Sequence, residues 1–414
     1  MMQTYLVGGA VRDELLNYPV KEKDWVVVGA TVDEMLSAGY QQVGSDFPVF
    51  LHPKTKDEHA LARTERKTAP GYRGFEVHAS PDVSLEEDLR RRDLTINAMA
   101  RDTDGNLIDP YHGQTDLQQK LLRHVSPAFA EDPVRILRVA RFAARYAHLG
   151  FSVAEETTEL MSQMVQHGDV DALVAERVWQ EFHKALGERN PEVFIEVLRS
   201  CGALKIILPE IDALFGVPQP VEHHPEIDTG IHTLMVLQQA CLLSDDEETR
   251  FAALCHDLGK ALTPEENWPS HYGHEANGIK PIQQLCKRLR IPNAFRELAS
   301  VTAKYHLHVH RAFEIKTGTL LRTLEQVDAM RKPERFEKFL LACTADSRGR
   351  TGYEHKPYPQ ADYYRQALQI IKEVDIQALK DAGLEGKAMA DAIHTARESA
   401  LKHNLQKPTN ASVD

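Results

Sequence analysis

Several scarcities narrow the search before any motif is read. Only five of the 414 residues are cysteine, and Cys201, Cys241, Cys255, Cys286 and Cys343 form no Cys-x-x-Cys pair. This excludes a disulfide-stapled scaffold and a thiolate zinc site, and it suits reduced core residues of a cytoplasmic protein. Apolar residues make up 42%, yet no run approaches the roughly 20 residues that a membrane span needs. The start lacks the basic-then-apolar pattern of an export signal, so no membrane partner is expected. Internal repeats and low-complexity tracts are missing too. Positive charge is short: 49 Lys and Arg stand against 61 Asp and Glu, for a net charge of −12. Overall, that balance argues against a surface made for a long polyanion. The cations are concentrated, however. Between Lys120 and Arg145 lie Lys120, Arg123, Arg135, Arg138, Arg141 and Arg145, against only Glu131 and Asp132. One basic face on an acidic protein suits a single anionic substrate.

The length predicts more than one core. Up to about residue 125, apolar strand runs alternate with short helical ones. Strands are expected at Tyr5–Val7, Trp25–Val28, Val49–His52 and His59–Arg63, and helices at Val32–Ser37 and Leu85–Ala98. From about Pro133 the apolar period turns helical and stays so. Breaks are expected near Pro127, Val217-Pro218-Gln219-Pro220 and Arg331-Lys332-Pro333. The tail from Lys407 to Asp414 should fray.

The most informative stretch comes early: Leu6-Val7-Gly8-Gly9-Ala10-Val11-Arg12-Asp13, then Glu22-Lys23-Asp24-Trp25-Val26-Val27-Val28. A buried strand runs into Gly8-Gly9, where a phosphate chain can approach bare backbone. Arg12, one turn into the next helix, can reach the same phosphates. Glu22 and Asp24 share one face of an extended segment and can hold Mg²⁺ for phosphoryl transfer. Arg63 and Glu65 share a face in Ala62–Lys67, so Glu65 is either a third carboxylate or half of an edge-strand ion pair. Arg91-Arg92-Asp93 followed by Asn97 puts Asp93 and Asn97 one helical turn apart. Such a pair can hydrogen-bond ribose hydroxyls while Arg92 meets phosphate. Asp132-Pro133 reads as a helix cap and first helical position. The arginines at 135, 138, 141 and 145 then fall on one face of the helix that follows.

These motifs resemble the class II tRNA nucleotidyltransferases and bacterial poly(A) polymerases, members of the polymerase-beta superfamily. The resemblance implies Glu22, Asp24 and Glu65 as catalytic carboxylates, with Mg²⁺ on Glu22 and Asp24. It implies Gly9, Arg12, Arg92, Asp93, Arg138 and Arg141 as binders of ATP and CTP. Asp132 and Arg135 would pair with the incoming base edge, a protein template for C and A. The family's metal motif is Asp-x-Asp, so Glu22 is a departure. Asp109-Pro110…Gly113…Asp116-Leu117 resembles the family's turn after the sheet and is expected to be structural or a hinge.

A second chemistry follows. Phe251–Cys255 is apolar and ends in His256-Asp257, then Leu258-Gly259-Lys260. His271, His274, His306, His308 and His310 crowd the neighbourhood. Imidazole with carboxylate suits a transition metal better than Mg²⁺. The pattern is similar to the HD phosphohydrolase superfamily. That likeness implies His232, His256, Asp257 and Asp346 as ligands of Ni²⁺ or a similar ion, His274 and His306 as candidates for a second ion, and His256 and Asp257 as catalytic.

The order of parts resembles the multifunctional CCA-adding enzymes. It extends through Trp25–Gly29, Gly44–Pro53 and His224–Thr233. The fold so implied is an α/β nucleotidyltransferase head followed by an all-α neck, body and HD domain. The expected divisions are a head at 1–125, a neck and body for base selection and tRNA binding at 126–220, an HD domain at 228–330 and a helical tail at 331–414. The implied activity is untemplated addition and repair of the tRNA 3′-terminal CCA from CTP and ATP, by a monomer or homodimer. Phosphatase, 2′-nucleotidase and 2′,3′-cyclic phosphodiesterase activities would sit in the HD part. Two rivals remain: an HD hydrolase with a catalytically weak RNA-binding head, and a polymerase adding poly(A), CC or A alone.

Overall fold

The computed structural model describes residues 2–20, 22–43, 49–67, 75–222, 224–381 and 383–407. Contacts divide the chain into two compact units, Met1–Ile207 and Leu208–Asp414.

The first unit is built on a seven-stranded mixed sheet of strands β1 (Gln3–Val7), β2 (Asp24–Val28), β3 (Gln41–Val43), β4 (Val49–Leu51), β5 (Glu58–Leu61), β8 (Ala100–Arg101) and β9 (Leu107–Ile108). The order across the sheet is β3-β4-β5-β2-β1-β8-β9. Only β2 and β5 run parallel. The valine run of β2 shows why the strand is central. Val26 packs on one face with Val7, Ala62 and Leu89, and Val27 on the other with Met35, Phe50 and Leu61. Alternation sends successive side chains into two cores, and each fully buried valine contributes roughly 1.5–3 kcal/mol.

Helix α1 (Gly9–Leu15) leaves β1 directly, and α2 (Val32–Ser37) and α3 (Leu85–Arg90) each open with a capping box. Thr31 pairs with Glu34 and Ser84 with Glu87, satisfying amides the first turn leaves open. The helix expected over Leu85–Ala98 stops at Arg90. The Asp93 carboxylate accepts the Leu94 amide at 2.8 Å, and the Thr95 amide donates to the Arg123 carbonyl at 2.9 Å. These bonds draw the backbone out of the helix, leaving one 3₁₀ turn at Thr95–Asn97. Likewise the strand expected to run through Ala62–Lys67 breaks. β5 ends at Leu61, and β6 (Thr64–Lys67) pairs with β7 (Phe75–His78) in a separate ribbon. The break is held where Arg63 donates its amide to Asp88 and accepts from the Arg91 guanidinium.

Beyond α4 (Gly113–Gln119), capped by both oxygens of Asp109, the unit is helical apart from a short parallel ribbon of Leu121–Leu122 and Ser152–Val153, where an all-α neck was expected: α5 (Val134–Tyr146), α6 (Glu155–Gln166), α7 (Ala175–Leu186), α8 (Pro191–Ser200) and α9 (Leu204–Ile207). α5 packs against α7 and α8. The helix opens one residue later than expected, with Pro133 at the cap position, while Asp132 accepts the Val134 amide at 3.1 Å.

The second unit contains α10 (Pro209–Asp212), α11 (Thr229–Leu243), α12 (Glu247–Cys255), α13 (His274–Asn277), α14 (Ile279–Arg288), α15 (Asn293–His310), α16 (Thr317–Gln326), α17 (Pro333–Arg348), α18 (Pro359–Lys372), α19 (Gln377–Asp381) and α20 (Gly386–Asn404). Its centre is the mutually packed set α11, α12, α15 and α17. No described helix is long and apolar enough to cross a membrane.

Candidate active sites

The first site forms where β1 turns into α1. Val7 pairs with Asp24 across the two strands, which sets the carboxylate beside Gly8-Gly9. Glu22 lies just before β2, outside the strand, and is exposed. Solvent reaches Asp24, yet surrounding protein holds its carboxyl above the ordinary range; Arg92 opposes the rise and Glu22 adds to it. A carboxylate crowded this way gains from a cation. The donor set of two adjacent acids fits a hard divalent ion. Glu65 falls in β6, but its side chain lies outside the described residues, as does the tract Gly44–Pro48.

Gly8 has φ +68° and ψ −126°, a conformation that L side chains rarely adopt. A Cβ there would also stand 2.7 Å from an Arg92 guanidinium nitrogen. Gly9 starts α1, with the Arg12 guanidinium against it. Arg12 is buried; it donates to Asp13 at 2.9 Å and to the Asn97 side-chain oxygen, and it lies over the rings of Phe142 and Tyr146. Asn97 in turn donates to Asp93 at 2.9 Å. Asp93 and Asn97 therefore meet as expected, although through a turn and not along a helix. The other Asp93 oxygen accepts from Arg138 at 2.7 Å. Burial alone would raise the Asp93 carboxyl; Arg138, Asn97 and the Leu94 amide outweigh it and hold the group well below the carboxylate range. Arg92 donates to Asp88 and to the Asn97 carbonyl.

The arginines of α5 do not all face one way. Arg135 donates to the carbonyls of Ala128 and Arg91 at 2.7 and 2.6 Å, Arg138 to Asp93, and Arg145 reaches Asp13 at 3.5 Å. Arg141 turns to α7 and pairs with the buried Glu181 at 2.6 Å. Asp132 is also tied to α7: both its oxygens accept from Arg177, at 3.2 and 2.9 Å. Sequence reasoning missed Arg177 and Glu181. Their spacing of four on an amphipathic helix was the available signal.

The second site lies among α11, the end of α12, α13, α15 and α17. His232 Nε2 stands 3.2 Å from an Asp346 oxygen, and His256 Nε2 is 3.2 Å from Asp257 and 3.5 Å from Asp346. Asp257 divides its oxygens. Oδ2 faces His256, His232 at 4.0 Å and Lys260 Nζ at 2.6 Å; Oδ1 faces His274 at 3.3 Å and His306 at 3.7 Å. Among the described residues three groups of potential ligands result: His232–His256–Asp346 and Asp257–His274–His306, all buried, and His224–Glu226–His232, in which Glu226 is half-buried. His256 Nε2 and Asp257 Oδ1 are buried without a properly directed hydrogen bond among the described residues. Burial works against a charged His256, but Asp257 and Asp346 hold its pKa up to about 10, while burial pushes that of His306 down to about 3. The two carboxylates here favour a cation, and the convergent imidazole and carboxylate groups fit a transition metal, which would replace the proton on His256.

The surroundings aim these ligands. His256 Nδ1 bonds the Ala253 carbonyl and His274 Nδ1 the His271 carbonyl, both at 2.7 Å, which turns each Nε2 inward. Glu226 lies 2.9 Å from His232 Nδ1 and 3.0 Å from His224. His310 donates to Asp346 at 2.7 Å and contacts the Tyr358 hydroxyl. Gly259 packs so closely on the His274 carbonyl that a Cβ would collide with it. Tyr358 went unnoticed in the sequence because it acts through His310, 48 residues away in the chain, and Glu226 was not singled out within the His224–Thr233 stretch.

Family profiles match at residues 4–123 for the poly A polymerase head domain, 150–215 for a probable RNA and SrmB-binding site of polymerase A, and 229–340 for the HD domain. A multifunctional CCA protein of Thioalkalivibrio sulfidiphilus is 66% identical over 97% of this chain and 98% of its own length. That of Teredinibacter turnerae is 59% identical over 97% and 98%. Among solved structures, the Thermotoga maritima CCA-adding enzyme complexed with tRNA superposes with a TM-score of 0.65 at 20% identity, covering 98% of this chain and 89% of that one. The Bacillus stearothermophilus CCA-adding enzyme in complex with CTP gives 0.63 at 20% identity, covering 98% and 90%. Those two likenesses show the shared fold. With two thirds of its residues identical to a curated relative along nearly its whole length, the chain belongs to the multifunctional CCA protein family.

Proposed function

We propose that this chain adds cytidine, cytidine and adenosine to tRNA 3′ ends from CTP and ATP, and hydrolyses phosphate esters in its HD unit. The observation that carries the first activity is one connected network around Gly8-Gly9. Asp24 and Arg92 flank the glycine turn, and Arg12, Asn97, Asp93 and Arg138 are bonded in series behind it. The tRNA 3′-hydroxyl attacks the α-phosphorus and pyrophosphate leaves. Glu22 and Asp24 would hold Mg²⁺, which supplies charge neutralisation at the reacting phosphate. The Gly8 amide is spent on the Met99 carbonyl, so the amides of the first turn of α1 face the triphosphate, and Arg92 and Arg138 supply positive charge there. Asp93 fixes Arg138 and, with Asn97, faces the ribose. Asp132 and Arg135 present an acceptor and donors to the base edge, with Arg177 holding Asp132 in place. Arg141 braces the helix against α7 through Glu181.

In the HD unit, His232, His256, Asp257 and Asp346 would hold Ni²⁺ or a similar ion, which activates water for attack on phosphorus. Phosphomonoesters and 2′,3′-cyclic phosphates at damaged RNA ends are the substrates that suit this pairing of activities in one cytoplasmic chain. The test offers the protein tRNA lacking CCA with all four triphosphates. Ordered addition of C, C and A is expected; indiscriminate tailing, or no incorporation, overturns the reading.

A further inference from the structure

A second run of positive charge, apart from that of α5, marks the end of α14. From Lys280 to Arg296 stand Lys280, Lys287, Arg288, Arg290 and Arg296, with no aspartate or glutamate among them. A cavity of about 580 Å³ opens there, lined by Gln283, Cys286, Lys287, Arg290, Ile291 and Arg296. Cys286 and Ile291 are buried, while Gln283 and the three cations are exposed. Two acids adjoin the cavity, and both are already matched. Glu210 takes Arg288 at 2.6 Å, and Glu297 takes Lys332 and Arg335 at 3.0 and 2.9 Å. Lys287 and Arg296 make no ion pair among the described residues. The turn beside them is unusual. The Ile291 amide donates to the Cys286 carbonyl at 2.9 Å, closing α14 in a Schellman turn whose left-handed position is Arg290, at φ +55°. Glycine is the ordinary occupant, because a Cβ is strained there. An arginine kept in that conformation costs stability and brings a guanidinium to the cavity, as strained positions at binding sites do.

We infer that this cavity binds backbone phosphates of the tRNA, with Lys287, Arg290 and Arg296 as the cations that meet them. This rests on the reading of tRNA as the substrate. The polar lining offers two guanidinium groups, an ammonium and an amide, and no carboxylate, which suits a phosphate diester. It holds no aromatic ring on which a base could stack and no acid to take ribose hydroxyls, so it recognises phosphate and not a nucleoside. Lys280, Gln283, Lys287 and Arg290 recur every three or four residues, and the donors therefore form a stripe about 15 Å long at 1.5 Å per residue. Such a stripe fits successive phosphates of a strand better than one small anion. On a chain of net charge −12, a local excess of cations of this kind also steers the polyanion to one place.

The experiment uses the full chain and fluorescently labelled tRNA lacking CCA, with binding followed by anisotropy between about 50 and 200 mM salt. CTP affinity and the unfolding midpoint are measured beside it. The double variant Lys287→Gln, Arg296→Gln should bind tRNA at least about tenfold more weakly and flatten the log–log salt dependence by about two, with CTP affinity unchanged. Arg290→Gly should flatten it by about one, with an unfolding midpoint no lower than wild type, because glycine takes φ +55° without strain. Wild-type tRNA affinity and salt dependence in both proteins overturn the inference and leave the proposed activities intact. Weakened CTP binding with unchanged tRNA binding also overturns it, since the cavity would then take a free nucleotide. Weaker tRNA binding that comes only with a lowered midpoint in both proteins overturns it too, because the cations would then serve the fold. A wild-type protein that does not bind tRNA at all overturns the substrate reading along with it.

Discussion

Replacing Arg177 by methionine should damage nucleotide choice more than nucleotide binding. Arg177 grips both oxygens of Asp132, at 3.2 and 2.9 Å. The side chains are 28% and 19% exposed, respectively, so the pair is neither a solvated ion pair nor a fully buried one. Exposed pairs contribute about 0–1 kcal/mol and breaking buried ones costs about 3–5 kcal/mol; the bidentate geometry places this one near 2 kcal/mol. The Val134 amide still holds one Asp132 oxygen at 3.1 Å, so the carboxylate keeps its place in the chain but loses its orientation. If that ~2 kcal/mol is what preorganises the base-facing group, discrimination of CTP and ATP against UTP and GTP falls about 30-fold. Arg177→Lys should recover only part of it, because an ammonium cannot make the fork. The assay is single-turnover incorporation of each triphosphate into tRNA lacking CCA. An Arg177→Met protein that discriminates within twofold of wild type refutes the reasoning.

Other outcomes follow from the same geometry. Gly8→Ala should cost about 2 kcal/mol in backbone strain and push Arg92 aside, lowering nucleotidyl transfer at least about tenfold while leaving phosphomonoester hydrolysis unchanged. Asp93→Asn should destabilise the fold by about 2 kcal/mol at neutral pH, through loss of the charge-assisted bond to Arg138. Because Asp93 is held below its unfolded value, its contribution is full above about pH 4 and is lost as pH falls through the lowered value. Urea unfolding should therefore show the wild-type and Asp93→Asn curves converging in acid. His256→Ala and Asp257→Ala should each abolish hydrolysis and spare CCA addition; joint loss of both activities would mean the two sites are not independent. Glu22→Asp should change transfer only a few-fold, and a large gain would revive the reading of the head as a weak module.

Short motifs were legible in the sequence, as was, through the resemblance, the distant set His232, His256, Asp257, His274, His306 and Asp346 that the structure gathers; partners outside those motifs were not. The glycine pair, Glu22 and Asp24, and His256-Asp257 are short motifs whose neighbours in the chain are also their neighbours in space. Helix α2 was placed to the residue because Thr31 and Glu34 cap it from within. The helix over Leu85–Ala98 was over-extended because its end depends on Asp93 capturing an amide and on a carbonyl from Arg123. A periodicity cannot register such bonds. The common arginine face of α5 was right for Arg135, Arg138 and Arg145 and missed Arg141, whose direction is set by Glu181 forty residues away.

The tethering of α5 bears on how one pocket serves two bases in turn. Arg135 and Arg138 fasten it to the segment around Asp93, Arg145 to Asp13, and Arg141 to α7, while Arg177 on α7 grips Asp132 at its start. A shaft pinned at several heights to two walls cannot spin on its own axis. If Asp132 and Arg135 select the base as proposed, exchanging a cytosine-shaped slot for an adenine-shaped one calls for side-chain adjustments within those pins or a concerted shift that carries α5 and α7 as one piece.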